Sequence, residues 1–103
     1  MVTASFYGRG AAYTGFKVQG HAGFAPAGQD IVCAAVSAMT MLTVNLIEDA
    51  FGIKSDLRVD DGKGVIALSL EEENPTASKI IGAFKQELVA LSVEYPQNIL
   101  VKE

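Results

Sequence analysis

Two spacings of apolar residues alternate along this chain, and they constrain its fold more than any other sequence feature. Val2, Ala4 and Phe6 recur at every second position, which is the period of a half-buried strand. In a later segment the apolar residues recur at every third or fourth position, as on one face of a helix: Ile80, Ile81, Phe84, Leu88 and Leu91. A chain that switches between these periods is expected to pack helices against a sheet.

The remaining segments extend this pattern to the element order ββαββαβ. Strands are predicted at residues 2–8, 13–18, 57–60, 64–70 and 99–101, and helices at residues 31–51 and 75–95. Asp30 and Asn74 are the predicted N-caps, because their side chains can accept the free N–H groups of a first helical turn. In the second hairpin, the turn Asp61-Gly62-Lys63 is expected to place its glycine at positive φ. We therefore predict an α+β fold of two layers, with a small, mostly antiparallel sheet and both helices packed on one face.

Charge and composition exclude several classes of protein. The 103 residues are half apolar, which suits a single domain spanning residues 1–103. One cysteine excludes an internal disulfide, and one histidine with one cysteine cannot complete a four-ligand zinc site, so no metal or other cofactor is expected. The net charge of -4 argues against broad nucleic-acid binding.

The first predicted helix is apolar nearly all round, because few charged residues precede Glu48. We therefore expect both of its sides to be covered. Its longest nearly unbroken apolar run, Ile31 to Met39, is shorter than the roughly 20 residues that span a bilayer. No basic segment precedes an apolar one at the N-terminus, so we expect a cytoplasmic protein with no membrane partner.

The single histidine lies where a glycine-rich segment, residues 20–28, begins, and the single cysteine lies shortly after it, where the chain has become a helix. With Asp30 as N-cap, Cys33 occupies the third helical position, where the positive end of the helix dipole favours the thiolate. If the loop folds back, His21 can take the thiol proton and later deliver it to a leaving amine. Backbone N–H groups at the helix start can stabilise an oxyanion. The spacing therefore suggests a thiol acyl-transfer site.

Each of these residues also has a purely structural interpretation. Cys33 could be a small core residue, inert because water does not reach it, and His21 a hydrogen-bonded residue at a strand end. Asp30 could orient His21 or only cap the helix, and the two roles compete for the same oxygens. Phe24 could anchor the glycine-rich loop or contact a substrate.

Two stretches of this region resemble the signature of a known family. Gly20-His21-Ala22-Gly23, followed at residues 28–37 by Gly-Gln-Asp-Ile-Val-Cys-Ala-Ala-Val-Ser, is similar to the ribosomal-processing cysteine protease family, Prp. The resemblance implies a cysteine endopeptidase that removes a short N-terminal extension from large-subunit ribosomal protein number twenty-seven, cleaving after a phenylalanine. It also implies a homodimer and an apolar pocket near the cysteine.

The resemblance assigns roles to particular residues. The family's cysteine falls on Cys33, its histidine on His21 and its acidic position on Asp30. The resemblance implies that the loop between histidine and cysteine closes around the substrate. Its predicted substrate-loop residues are Gly20, Gly23, Phe24 and Gly28. Two other functions are compatible with the residues: a noncatalytic ribosome-associated binding module, and a thioesterase or acyl transferase that uses the same dyad.

Overall fold

The computed structural model describes residues 1–26 and 28–103; Ala27, which belongs to the predicted glycine-rich loop, lies outside the described residues. Five strands form one sheet in the order β3-β4-β2-β1-β5. The elements follow the predicted order: β1 (Val2–Arg9), β2 (Ala12–Gln19), α1 (Ile31–Asn45), a π-helical turn (Leu46–Ala50), β3 (Ser55–Asp60), β4 (Val65–Leu70), α2 (Pro75–Glu94) and β5 (Ile99–Lys102).

The sheet is mostly antiparallel, as predicted. β1 pairs with β2, β2 with β4 and β4 with β3, all antiparallel, and Phe6 lies opposite Phe16. β5 joins the other side of β1 in parallel, with Ile99 opposite Val2. The chain reaches this edge only after α2 has crossed the sheet, because a parallel neighbour requires a long crossover connection. The prediction of an α+β fold is confirmed.

Both helices begin where the sequence places them. The Asp30 carboxylate accepts a hydrogen bond from the Cys33 N–H at 2.9 Å, and the Asn74 side chain accepts one from the Ala77 N–H at 2.9 Å. Pro75 takes the first position of α2, where its missing N–H costs nothing. These caps are local, so they could be predicted from the sequence alone.

The core lies between one face of the sheet and the two helices. Alternate residues of β1 are buried, which matches the strand period. The Phe84 ring of α2 lies edge-on to Phe6 and Phe16, with centroids 5.7 Å and 5.1 Å apart. The other buried apolar side chains come from the strands and from α1 as well as α2, and they include Val2, Ala4, Val18, Leu68, Val32, Val36, Val44, Ile81 and Leu88. One cluster therefore holds the sheet and both helices together.

The structure corrects two details of the prediction. The first helix does not stay α-helical to its end: from Leu46 it widens into a π-helical turn, and the Phe51 N–H donates to the Leu46 carbonyl five residues back. In the β3–β4 turn, Gly64 rather than Gly62 has positive φ, at 64°. The turn has four residues because β4 begins only at Val65, and Asp60 accepts the Lys63 N–H within it.

The outer side of α1 is exposed, so the expectation that both sides are covered is wrong for a single protomer. Ile31 and Leu42 each remain 60% exposed.

The helical segment Ile31–Ala50 is long and apolar enough, by length and composition alone, to cross a bilayer, with a mean hydropathy of 1.8. This segment is longer than the apolar run Ile31 to Met39 because the helix continues past Met39. A core helix of a soluble protein passes the same test, and the inner side of α1 belongs to the core.

Candidate active site

Three parts of the fold meet beside Cys33: the loop after β2, the start of α1 and the β3–β4 turn. His21 and Cys33 both line a cavity of about 250 Å³, together with Ser37 and with the turn residues Asp60 and Asp61. Its apolar lining consists of Val2, Val18, Val36, Val65 and Ile66. The same histidine and cysteine also line a second cavity of about 440 Å³ on the side of the glycine-rich loop. The structure thus brings together the two side chains that the sequence singled out.

Cys33 is half-buried and is not sealed within the core. It occupies the third position of α1, as predicted, next to the N–H groups that the first turn leaves free. Its Sγ accepts a hydrogen bond from the Ala22 N–H at 3.1 Å. The sulfur therefore has a backbone donor from the loop and faces two cavities through which a peptide could approach it.

His21 is exposed at the end of β2 and lies against the β3–β4 turn. A methyl group added at Gly64 would lie 3.4 Å from both Cε1 and Nε2 of the imidazole. Turning the ring over exchanges these two atoms, so the contact does not depend on the ring assignment. The Gly20 N–H donates to the Gly64 carbonyl at 3.1 Å, which ties the turn to the residue before His21.

Asp30 uses both carboxylate oxygens on backbone groups. Oδ1 accepts the Cys33 N–H at 2.9 Å and Oδ2 accepts the Phe24 N–H at 3.0 Å. The hydrogen bond from the Cys33 N–H is the largest cause that holds the pKa of the Asp30 carboxyl below its ordinary value. Burial is the next largest effect and raises this pKa, and the amides of Phe24 and Ala25 lower it further. This geometry supports the cap role; an orienting role toward His21 stays a prediction.

The four predicted loop residues occupy different surroundings. Gly20 has a φ of 94°, and a Cβ there would lie 2.4 Å from the Met1 carbonyl oxygen, so only glycine fits. Gly23 and Gly28 line the second cavity with Asp30. The Phe24 ring lies edge-on to Tyr95, with centroids 5.4 Å apart, which supports its interpretation as an anchor of the loop.

Several residues of this region were not identified from the sequence as site residues. Ser37 lines both cavities and lies one helical turn after Cys33, a spacing that could have drawn attention to it. Asp60, Asp61 and Gly64 reach the site from a distant hairpin, so no local pattern indicates them. Asn98, which is 76 positions away from Ala22 in the sequence, donates a hydrogen bond to the Ala22 carbonyl at 2.8 Å.

Metal binding finds no support among residues 1–26 and 28–103. Within them, no group of three or more histidine, cysteine, aspartate or glutamate side chains is placed to hold an ion.

Comparison with known proteins assigns the chain to a family. The family model described as cysteine protease Prp matches residues 1–100. This chain belongs to the cysteine protease Prp family. It is 40% identical over 82 residues to the ribosomal processing cysteine protease Prp of Mycoplasma pneumoniae, which covers 78% of this chain and 77% of the relative. The Staphylococcus aureus relative of the same name is 32% identical over 83 residues, covering 80% and 78%.

Solved Prp structures share the whole fold. The S. aureus ribosomal processing protease Prp in complex with a covalently linked product peptide matches with a TM-score of 0.91 and 28% identity, covering 100% of both chains. The same protease in complex with a substrate peptide matches with a TM-score of 0.86 and 26% identity over 100% of both chains. The chain is therefore a cysteine protease, a hydrolase, and the alternative of a noncatalytic binding module is excluded.

Proposed function

We propose that this protease removes the N-terminal extension of large-subunit ribosomal protein number twenty-seven, with Cys33 as nucleophile and His21 as general base. One observation carries the proposal: His21 and Cys33 line the same two cavities, with Cys33 in the first turn of α1. The names of the relatives, which are ribosomal processing proteases, support the substrate class. The S. aureus structures hold peptides, which supports a peptide partner here.

The proposed reaction is an acyl transfer through a thioester. His21 takes the Cys33 proton, and the thiolate attacks the carbonyl carbon of the scissile bond. Backbone N–H groups of the loop or the helix start stabilise the oxyanion. The imidazolium then protonates the leaving amine as the C–N bond breaks. Water, with its proton taken by His21, hydrolyses the thioester and releases the new carboxylate and the thiol.

The cavity beside Cys33 supports cleavage after an aromatic residue. Its volume of about 250 Å³ exceeds the roughly 150 Å³ at which an aliphatic cavity in another protein holds benzene. Val18, Val36 and Ile66 supply an apolar lining of the kind that a phenyl ring requires. We therefore assign this cavity to the side chain that precedes the cleaved bond.

The proposal extends to the state and place in which the protein acts. Residues 1–103 act as one domain, supported by the single core cluster, and two such protomers form a homodimer, supported by the exposed apolar side of α1. The net charge of -4 suits a basic peptide partner better than a nucleic acid. Ribosomal proteins are made in the cytoplasm, which is where we place the reaction.

Replacement of the proposed nucleophile tests the function directly. Cys33→Ala should reduce cleavage of a peptide that carries the extension by more than about a thousand-fold, because no thioester can form. Mass spectrometry of the products measures the reaction and locates the cleaved bond. Ser69→Ala is the matched control, since Ser69 is exposed on the open face of the sheet and its removal should leave the rate unchanged.

Two outcomes would contradict the proposal. A folded Cys33→Ala variant that still trims the peptide would exclude Cys33 as the nucleophile. A wild-type protein that leaves the extension intact but hydrolyses small acyl thioesters would favour the thioesterase alternative. Thermal unfolding of each variant separates lost chemistry from lost structure.

A further inference from the structure

The backbone of Ala22 is hydrogen-bonded through both its N–H and its carbonyl. The Ala22 N–H donates to Cys33 Sγ at 3.1 Å, and the Ala22 carbonyl accepts a hydrogen bond from Asn98 Nδ2 at 2.8 Å. Ala22 itself is only 2% exposed and directly follows His21. A shift of Ala22 would therefore change the donor to the sulfur and the backbone that carries the imidazole together.

Asn98 is well placed to hold Ala22 because its own backbone is fixed. It closes the turn between α2 and β5, where its N–H donates to the Tyr95 carbonyl at 3.0 Å. Its carbonyl accepts the Val2 N–H at 2.8 Å at the start of the sheet. The same turn supports the loop a second time through the edge-on contact between Tyr95 and Phe24. The side-chain nitrogen must face Ala22, since an amide oxygen there would repel the carbonyl.

We propose that Asn98 is a positioning residue of the active site, holding Ala22 so that its N–H points at Cys33 Sγ. The role rests on the proposed function of Cys33 as nucleophile. A donor aimed at sulfur stabilises the negatively charged thiolate more than the neutral thiol. Asn98 lines neither of the two cavities, and its side chain acts on the site through the hydrogen bond to Ala22.

The charged groups around the sulfur come from three parts of the fold. His21 belongs to the glycine-rich loop, Asp30 is the N-cap of α1, and Asp60 and Asp61 line the shared cavity from the β3–β4 turn. None of these groups is altered by substitution of Asn98. A change in thiol reactivity in an Asn98 variant therefore reports on the Ala22 contact.

The pH dependence of thiol alkylation tests the role without any peptide substrate. In Asn98→Ala the pH midpoint of alkylation by iodoacetamide should rise by about half a pH unit to one unit, the equivalent of one ordinary hydrogen bond. Asn98→Leu, which keeps about the same size but loses the donor and adds no charge, should shift it in the same direction. Gln97→Ala, at the exposed neighbour in the same turn, should leave it unchanged. With the extension peptide, kcat should fall about three- to tenfold while KM stays the same.

The outcomes separate this role from a structural one and from the proposed function. An unchanged alkylation profile in folded Asn98→Ala and Asn98→Leu would overturn the role, even if cleavage were lost. An equal shift in Gln97→Ala would also overturn it, because the effect would then belong to the turn as a whole. If the midpoint shifts as expected but wild-type protein cleaves no extension peptide, the positioning role stands and the proposed substrate is wrong.

Discussion

Asp30 is the residue in which a local role and a site role coincide. Its carboxylate caps α1 through the Cys33 N–H and holds the loop through the Phe24 N–H. Because its two oxygens hold the Cys33 backbone and the loop at once, the side chain links the start of the helix to the segment that carries His21. The sequence predicted the cap from the position of the residue, whereas the second bond depends on how the loop folds back.

The lowered pKa of Asp30 predicts a particular acid sensitivity. The pKa of this carboxyl is lower in the folded than in the unfolded protein, so its ionised form stabilises the fold at pH values above the unfolded-state pKa. This contribution disappears as the pH falls through the native pKa. Below about pH 4, the free energy of unfolding should therefore fall more steeply for wild type than for Asp30→Asn, which caps without titrating. Urea denaturation at a series of pH values measures both slopes. Parallel curves would contradict the prediction.

At the scale of elements, the β3–β4 turn belongs to the site although it is distant in sequence. The turn brings Gly64 against the His21 imidazole and Asp60 and Asp61 into the shared cavity. The sequence predicted the hairpin correctly, but it assigned the positive φ to Gly62. The position of the hairpin relative to the glycine-rich loop is decided by the pairing of β4 with β2, which is a long-range contact.

Two glycines allow the contact with His21 to be tested against a matched control. Gly64→Ala and Gly52→Ala add the same methyl group at similar φ values of 64° and 60°. At Gly64 the methyl would meet the imidazole at 3.4 Å, and at Gly52 it meets nothing within 4 Å. Both should lose similar stability, about 1–2 kcal/mol, from the left-handed conformation. Only Gly64→Ala should slow peptide cleavage, by about two- to threefold, because the exposed imidazole needs to move only slightly to accept the methyl group. Equal rates in the two variants would exclude a role for the contact.

At the scale of the whole molecule, the protomer exposes more surface than its size requires. Its accessible area is 6204 Å², against about 5,600 Å² for a typical monomer of this mass. Part of this area is the apolar side of α1 and the groove between α1 and α2, whose apolar lining includes Met39, Leu42, Leu46, Ile80 and Ala83, with Lys79 and Glu87 also lining it. An apolar surface of this kind is the support for the proposed homodimer.

A charge placed on this surface should dissociate the dimer. Leu42→Glu buries no charge in the protomer, where Leu42 is 60% exposed, but it would bury one in an interface formed by α1. Analytical ultracentrifugation should find the wild type as a dimer and Leu42→Glu as a folded monomer. Val93→Glu on α2, where Val93 is 76% exposed and lies outside the groove, should stay dimeric. A wild-type monomer, or a dimeric Leu42→Glu variant, would contradict the proposal.

The sequence by itself determined the order of elements, both helix caps and the choice of His21, Cys33 and Asp30 as candidates. These features depend on neighbours a few positions away, so the spacing of residues is enough to predict them. Only the tertiary structure brought Asn98, Gly64 and the two turn aspartates to the same site, because their contacts join segments that are far apart in the chain. The tertiary structure also decided which side of α1 is exposed, because the sequence of a helix that is apolar all round does not indicate which face the sheet will cover.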